Sequence, residues 1–372
     1  MGVSLQASGL LFRLPLQVLR RFPLSQRGQC VGLTVSGTLM TPALPDVTSG
    51  VAIASPVVLA LSDSLGYARK SNGSAGLAMA ALLGFGQMSP FFLTGAAENL
   101  LAWSLLPEAA QVQVTWLSWL GGALVLAGTT LILGLLFTWW LLPVEHPPKA
   151  SHGLIQAQLE ALGPMSASEG INALVLGAAV VGWITTPLHG VSVGWIAMAA
   201  LTALLVCNLP GRVTFRSAIY WDFLFYLGAA LSLTEVVRHL AIDQWLVARL
   251  APILAPATQW PMVFYPLVAC TLYCARFVLP SLPLVSLWVI GLLPICSAAG
   301  LHPLPLLLVT SAAVAIWFMP YQSPAYLALY FGTKERSFTH RQVRALAWSY
   351  GLTYLVGIVL SVPYWRLLGW VP

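Results

Sequence analysis

The residues able to do chemistry in this chain are few, and each is a polar group set in apolar surroundings. One set is Pro45-Asp46-Val47-Thr48-Ser49-Gly50, between two apolar stretches of similar length. Another is Thr94-Gly95-Ala96-Ala97-Glu98-Asn99, which interrupts a second apolar run. In the C-terminal third, Ser286 lies in a proline-rich segment that Arg276 precedes, and Pro320-Tyr321-Gln322-Ser323-Pro324 interrupts the next. Hydroxyls, amides, lone charges and carbonyls freed by Pro and Gly coordinate small ions. They do not make a nucleophile with its base. No Gly-rich phosphate loop, catalytic triad or metal cluster occurs. His189, His239, His302 and His340 lack ligand spacing, and Cys270 and Cys274 share a helix face, as core residues would. The sequence therefore predicts neither an enzyme nor a cofactor.

The elements that must carry these groups are membrane elements. Of 372 residues, 58% are hydrophobic and 8% charged, with mean hydropathy +0.83. Soluble domains carry about 25% charged residues, so a water-facing globule is excluded. The net charge of +6 reads as membrane topology signal rather than nucleic-acid affinity. At ~20 residues per crossing, the chain holds at most roughly ten. The five cysteines all lie in apolar context and read as packing residues. No secretory signal pattern opens the chain, because the basic residues follow the first apolar stretch. Gln6 stands where a myristoylation motif wants Ser or Thr.

Residues 5–24 form a basic amphipathic stretch broken by Pro15, as an interfacial helix would be. Residues 29–44 and 51–66 are each too short to span, and joined by Pro, Asp and Gly they describe a re-entrant hairpin. Such irregular backbone survives at membrane depth only when buried in protein or lining a watery cavity. Residues 75–92 and 100–106, separated at 94–99, read as a broken helix. A long span covers 113–143. Residues 144–168 are polar, and spans follow at 170–186, 191–209 and 219–236. Residues 238–253 are amphipathic, 259–300 repeat the hairpin theme, 304–333 repeat the broken helix with a break at 320–324, and the last span is 345–364.

The recurrence has a register. Pro283, Ser286 and Pro294 stand 238 positions after Pro45, Thr48 and Pro56. Trp348 and Gly351 stand 229 positions after Trp119 and Gly122, and the Val18 region resembles the Val247 region at the same offset. The unit of arm helix, hairpin, broken helix and span thus occurs twice. If the first hairpin opens to the cytoplasm, that side holds Arg13, Arg20, Arg21, Arg27, Arg69, Lys70, Lys149, Arg212, Arg216, Lys334, Arg336, Arg341 and Arg344. The far side holds Arg238, Arg249 and Arg366, and Arg276 lies within the second hairpin. This positive-inside bias makes the two repeats inverted. Inverted repeats with discontinuous helices are a transporter architecture, with the site where the breaks meet.

Residues 91–100 (FFLTGAAENL), 114–121 (VTWLSWLG) and 162–169 (LGPMSASE), with Tyr220-Trp221-Asp222 and the Pro-rich 318–332, resemble the divalent-anion:sodium symporters, especially their di- and tricarboxylate translocator branch. The resemblance covers nearly the whole chain. It implies an all-α polytopic membrane protein with two re-entrant hairpins and two broken helices, working as an elevator against a dimerising scaffold. It implies transport of a dicarboxylate, citrate or sulfate, coupled to sodium, a proton or a counter-anion, in the inner membrane. On this sequence the substrate-binding positions are Thr48, Ser49, Asn99, Ser286, Gln322 and Ser323, and the ion-binding positions are Asp46, Thr94, Gly95 and Pro320. Thr48 and Ser286 are expected at the starts of half-helices, where free N–H groups favour an anion and where the bland alternative is N-capping. Asp46 is either an ion or proton carrier or a helix cap. Arg276 pairs with a substrate carboxylate or, more simply, with an acidic neighbour.

Two departures accompany the resemblance. The family's Ser-Asn-Thr tips read here as Asp46-Val47-Thr48 and Leu284-Val285-Ser286, which keep only the last hydroxyl. Residues 165–246 supply three spans before the second arm, whereas 17 residues precede Val18. The difference (82 − 17 = 65 residues) leaves three readings open: a misassigned start, a second polypeptide supplying the spans, or a shortened, non-transporting relic. The expected organisation is an arm helix at 1–28, a first transport unit at 29–143, a polar linker at 144–168, scaffold spans with a second arm at 169–258, and a second transport unit at 259–372. The expected partners are a small anion, the lipid bilayer, and either a second copy or a chain completing the scaffold; no nucleic acid is expected.

Overall fold

The computed structural model describes residues 8–44, 46–144, 159–209 and 256–372, together with Ser4, Gln156, Gly211, Phe225, Gly228, Ser232, Val236, His239 and Leu240. Pro45, residues 145–155 and most of the elements expected at 219–236 and 238–253 lie outside the described residues. Among the described residues the structure is helical throughout. Among the described residues five helices are long and apolar enough to cross a membrane, as the composition requires.

Among the described residues the first helix with bounds is α1 (Leu10–Leu19), which runs through Pro15 instead of breaking there. Arg13 is not on the surface. Its Nε and Nη2 bind the two carboxylate oxygens of Glu169 at 2.8 and 3.2 Å, and its Nη1 binds the Gly163 carbonyl at 2.9 Å. Both side chains are at least nine-tenths buried. Glu169 also closes the capping box with Ser166 that starts the helix Ala167–Ile184, so one carboxylate fixes a helix end and neutralises a buried cation.

The first hairpin consists of α2 (Gln26–Met40), a short 3₁₀ turn (Thr41–Ala43) and α3 (Val47–Ser64). Next comes α4 (Asn72–Leu82), which loosens into a π-helical turn (Leu83–Gln87) and a 3₁₀ turn (Ser89–Phe91) before the chain unwinds. It resumes as α5 (Ala97–Ser104), followed by α6 (Glu108–Gln113) and the long α7 (Trp116–Leu141). The segment α8 (Ala167–Ile184) joins α10 (Val193–Val206) through the single turn α9 (Thr186–His189). The second hairpin has arms α11 (Pro261–Ala275) and α12 (Ser281–Ala298). Its broken helix is α13 (Pro303–Ala315), an extended stretch, a 3₁₀ turn (Pro320–Gln322) and α14 (Pro324–Gly332). The last helix, α15 (His340–Leu367), is longer than its hydropathy suggests because a Thr339–Gln342 capping box starts it early.

The packing recurs with the elements. In each repeat the first half of the broken helix lies against both arms of its own hairpin: α4 on α2 and α3, and α13 on α11 and α12. The second half crosses over. Helix α14 packs on α3 of the first hairpin, and α5 packs on α12 of the second. Helices α7 and α15 pack along each other. Two apolar cores result, one around the first hairpin with α14 and one around the second hairpin with α5. The α2–α4 crossing is close: a Cβ on Gly84 would lie 2.4 Å from the Thr34 carbonyl oxygen. Cys30 and Cys296 are buried, but Cys270 and Cys274 are exposed on α11 and Cys207 at the end of α10. The apolar context that made those three look like core residues therefore lies on an outward face.

Candidate functional site

Each broken helix must dispose of the backbone groups that its break frees, and the two breaks solve this with an amide side chain. At the first, Phe92 and Ala96 are extended. Asn99 Nδ2 donates to the Ser89 and Phe92 carbonyls at 2.9 and 2.8 Å. The Gly95 N–H also reaches the Phe92 carbonyl, at 2.8 Å. A Cβ on Gly95 would stand 2.5 Å from the Ser89 oxygen, so the turn needs glycine there. Thr94, also buried, donates to the Pro42 carbonyl of the first hairpin tip at 2.8 Å and accepts from Trp116 Nε1. The break spans 92–96, earlier than expected, and Glu98 and Asn99 sit in the first turn of α5. The Asn99 Oδ1 is buried without a hydrogen-bond partner.

At the second break, Ile316 and Met319 are extended, so the unwinding begins four residues before Pro320. Gln322 Oε1 accepts from the N–H groups of Phe318 and Met319 at 2.6 and 2.9 Å, and its Nε2 donates to the Arg276 carbonyl at 3.1 Å. Ser323 caps α14 by accepting from the Tyr326 N–H at 3.1 Å. Pro320 opens the 3₁₀ turn, where its missing N–H costs nothing.

The two tips differ. At the first, Asp46 is exposed and is the N-cap of α3. Its carboxylate accepts from the Thr48 N–H at 3.0 Å and from the Ser49 hydroxyl. Thr48 is thus the second residue of α3, as the sequence predicts, but the anion-favouring end of that helix already holds a carboxylate of the chain itself. At the second tip α12 starts at Ser281, with Pro280 before it and no capping side chain. Ser286 is therefore in the second turn and not at the helix start, a correction to its expected place. Pro283 is the reason: with no N–H of its own, proline belongs in a first helical turn, where that donor would be unpaired. The Ser286 hydroxyl is buried without a partner.

The tips and breaks converge through hydrogen bonds. The Ser281 hydroxyl of the second tip donates to Glu98 Oε1 on the first broken helix at 2.8 Å. Arg276 Nη2 donates to the Gln322 carbonyl on the second. The Phe277 and Phe318 rings stack at 5.6 Å, and the Tyr321 hydroxyl donates to the Phe277 carbonyl at 3.2 Å. Between the breaks, Gln87 Nε2 reaches the Ala315 carbonyl at 3.4 Å, and the Tyr354 hydroxyl donates to the Gln87 carbonyl at 2.6 Å. The structure thus brings Thr94 and Gly95 to the first tip and Gln322 to the second, while Asn99 stays at the first break. It places Asp46, Thr48 and Ser49 in a local cap. Sequence reasoning missed Ser281 and Gln87, two ordinary polar residues in apolar runs whose partners are 183 and 228 residues away. No group of three or more His, Cys, Asp or Glu able to hold a metal occurs among the described residues.

Comparison with known proteins agrees with this architecture. The model of a family described as the sodium:sulfate symporter transmembrane region matches residues 1–371. The chain is 30% identical over 251 residues to the chloroplastic dicarboxylate transporter 2 of Spinacia oleracea, covering 64% of this chain and 44% of that one. It is 25% identical over 358 residues to the inner membrane protein YbhI of Escherichia coli, covering 89% and 71%. It is 24% identical over 384 residues to a membrane protein of Cupriavidus necator, covering 100% and 73%. The matched region spans less than half the length of the chloroplastic transporter 2 proteins.

Proposed function

This chain belongs to the sodium:sulfate symporter family and is a multi-pass integral membrane protein, and we propose that it carries small divalent or trivalent anions across the membrane. The cargo is a dicarboxylate, a citrate-like tricarboxylate or sulfate, and the coupling is to sodium, a proton or a counter-anion. The observation that carries the reading is the convergence of two hairpin tips and two unwound helices through Thr94–Pro42, Ser281–Glu98, Arg276–Gln322 and Gln87–Ala315. Freed carbonyls and helix ends facing each other suit ions of both signs. The relatives named as dicarboxylate transporters support the substrate class.

In this reading the anion lies among the tips and breaks, with Thr48, Ser49, Asn99, Ser286, Gln322 and Ser323 around it. A coupling cation draws on the first break and tip, through Thr94, Gly95 and Asp46, with Pro320 opposite. The unpartnered Asn99 Oδ1 supports the cation, because a buried acceptor without a donor suits one. The two repeats enter the membrane from opposite sides, and the hairpin-bearing body moves against the scaffold spans at 169–258, with a second copy or a completing chain as partner. Counterflow of labelled succinate, citrate and sulfate into liposomes holding the purified chain, with and without sodium, tests the proposal. Saturable uptake of one anion is expected; no counterflow of any of them refutes it and leaves a non-transporting member of the family.

A further inference from the structure

Among the described residues two arginines are more than nine-tenths buried, Arg13 and Arg276. Arg13 shows how a buried guanidinium is normally kept: it has a two-point carboxylate and three backbone carbonyls. Arg276 has no carboxylate. Of its five N–H donors, one goes to the Leu279 carbonyl at 3.3 Å and one to the Gln322 carbonyl, while Nε is buried with no partner. Glu98 is the acidic group whose charge acts on it, but among the described residues Arg276 makes no ion pair within 4.0 Å. Glu98 is instead held on the Ser281 hydroxyl.

The surroundings add positive potential. Arg276 lies beside the start of α12, which has no capping side chain, whereas the start of α3 is closed by Asp46. A buried, unpaired charge is costly and is kept at membrane depth where an ion passes. The turn Phe277 to Pro280, whose Leu279 carbonyl Arg276 binds, is exposed throughout, as is Tyr321, whose hydroxyl bonds the Phe277 carbonyl.

We propose that Arg276 is the cation that reads the transported anion, and that a carboxylate or sulfate oxygen takes the free Nε and the remaining Nη hydrogens once the turn Phe277 to Pro280 lifts. This rests on the transport reading above and deepens it. The anion's main contact is then at the second tip, because the first supplies its own carboxylate.

The test uses the full chain in detergent, with anion-dependent thermal protection by succinate and by sulfate, and counterflow in liposomes. Arg276→Gln is expected to weaken protection ~30-fold, the loss of a charge-assisted contact. Arg276→Lys, a point charge without the fork, falls between. Glu98→Gln, which removes the opposing negative charge, tightens binding several-fold. If the wild type binds an anion and Arg276→Gln binds it equally well, this proposal fails and transport stands. If the wild type binds neither anion, both fail. Should Arg276→Gln not fold, wild-type affinity in both Arg276→Lys and Glu98→Gln overturns the proposal.

Discussion

Glu169→Gln is the sharpest probe of how the first arm helix is held. The substitution keeps shape and keeps an oxygen for the Ser166 N–H, which the carboxylate accepts at 2.8 Å. It removes the negative charge facing Arg13 and replaces the oxygen that accepts from Arg13 Nε with an NH2 group. Stripping one partner from a buried ion pair costs about 3–5 kcal/mol. Arg13 retains its bonds to the carbonyls of Leu162, Gly163 and Pro164, and the new amide oxygen still accepts one hydrogen. The lower end, about 2–3 kcal/mol, therefore applies. At the few degrees per kcal/mol typical of chains of a few hundred residues, thermal unfolding in detergent drops by roughly 5 °C or more. The double variant Arg13→Met, Glu169→Gln has no stranded charge and recovers most of that loss. The reasoning is wrong if Glu169→Gln melts with the wild type, or if the double variant is no better than the single.

Two further outcomes are expected. Gln322→Leu strands the Phe318 and Met319 N–H groups and the Arg276 carbonyl, each worth about 1–3 kcal/mol when buried and unpaired. Amide exchange at 318–319 should rise well above that of the α13 interior, and unchanged exchange would show that Gln322 is not the staple. His302, in the loop before α13, accepts from the Leu304 N–H through Nδ1 at 3.2 Å and stacks on Trp370. Burial lowers its pKa below the ordinary value. The unfolded chain therefore takes up the proton first, and the clasp's stability, full above about pH 6.5, is lost as pH falls through the folded value. His302→Asn, a cap that does not titrate, should flatten the acid dependence of the melting temperature; a wild-type pH profile in that variant removes His302 from the account.

The paired helices on either side of Pro45-Asp46 were legible because two apolar runs of similar length flank that break, and they form with 15 and 18 residues. The positions of the breaks were less so. Gly95 and Pro320 mark each break, but which neighbours unwind is set by where Asn99 and Gln322 find carbonyls and amides, a tertiary matter. Asp46 was readable as a cap from its Asp-x-Thr-Ser context, and the structure bears that local role. In the sequence Arg13 is only one of the cytoplasmic-side positive charges, with no sign that it is buried. Its partner was half visible, since Ser166 and Glu169 spell a capping box, yet nothing local shows that the same carboxylate meets a cation 156 residues away. The crossing of α5 and α14 onto the opposite hairpins has no local signal, because an apolar face does not name its partner.

That crossing bears on how the protein is made. The ribosome delivers the first hairpin and α4 long before α14 exists, and the face of α3 that α14 covers waits open in the bilayer. Gln87 waits in the same way for the Ala315 carbonyl 228 residues later. Contacts of such separation form late, so the first half is inserted before it is finished. Its unwound segment must be sheltered by lipid headgroups or by the insertion machinery until the second half arrives. The halves should then be separable in synthesis but not in folding: expressed as two pieces, each would be held back, and together they would complete one another.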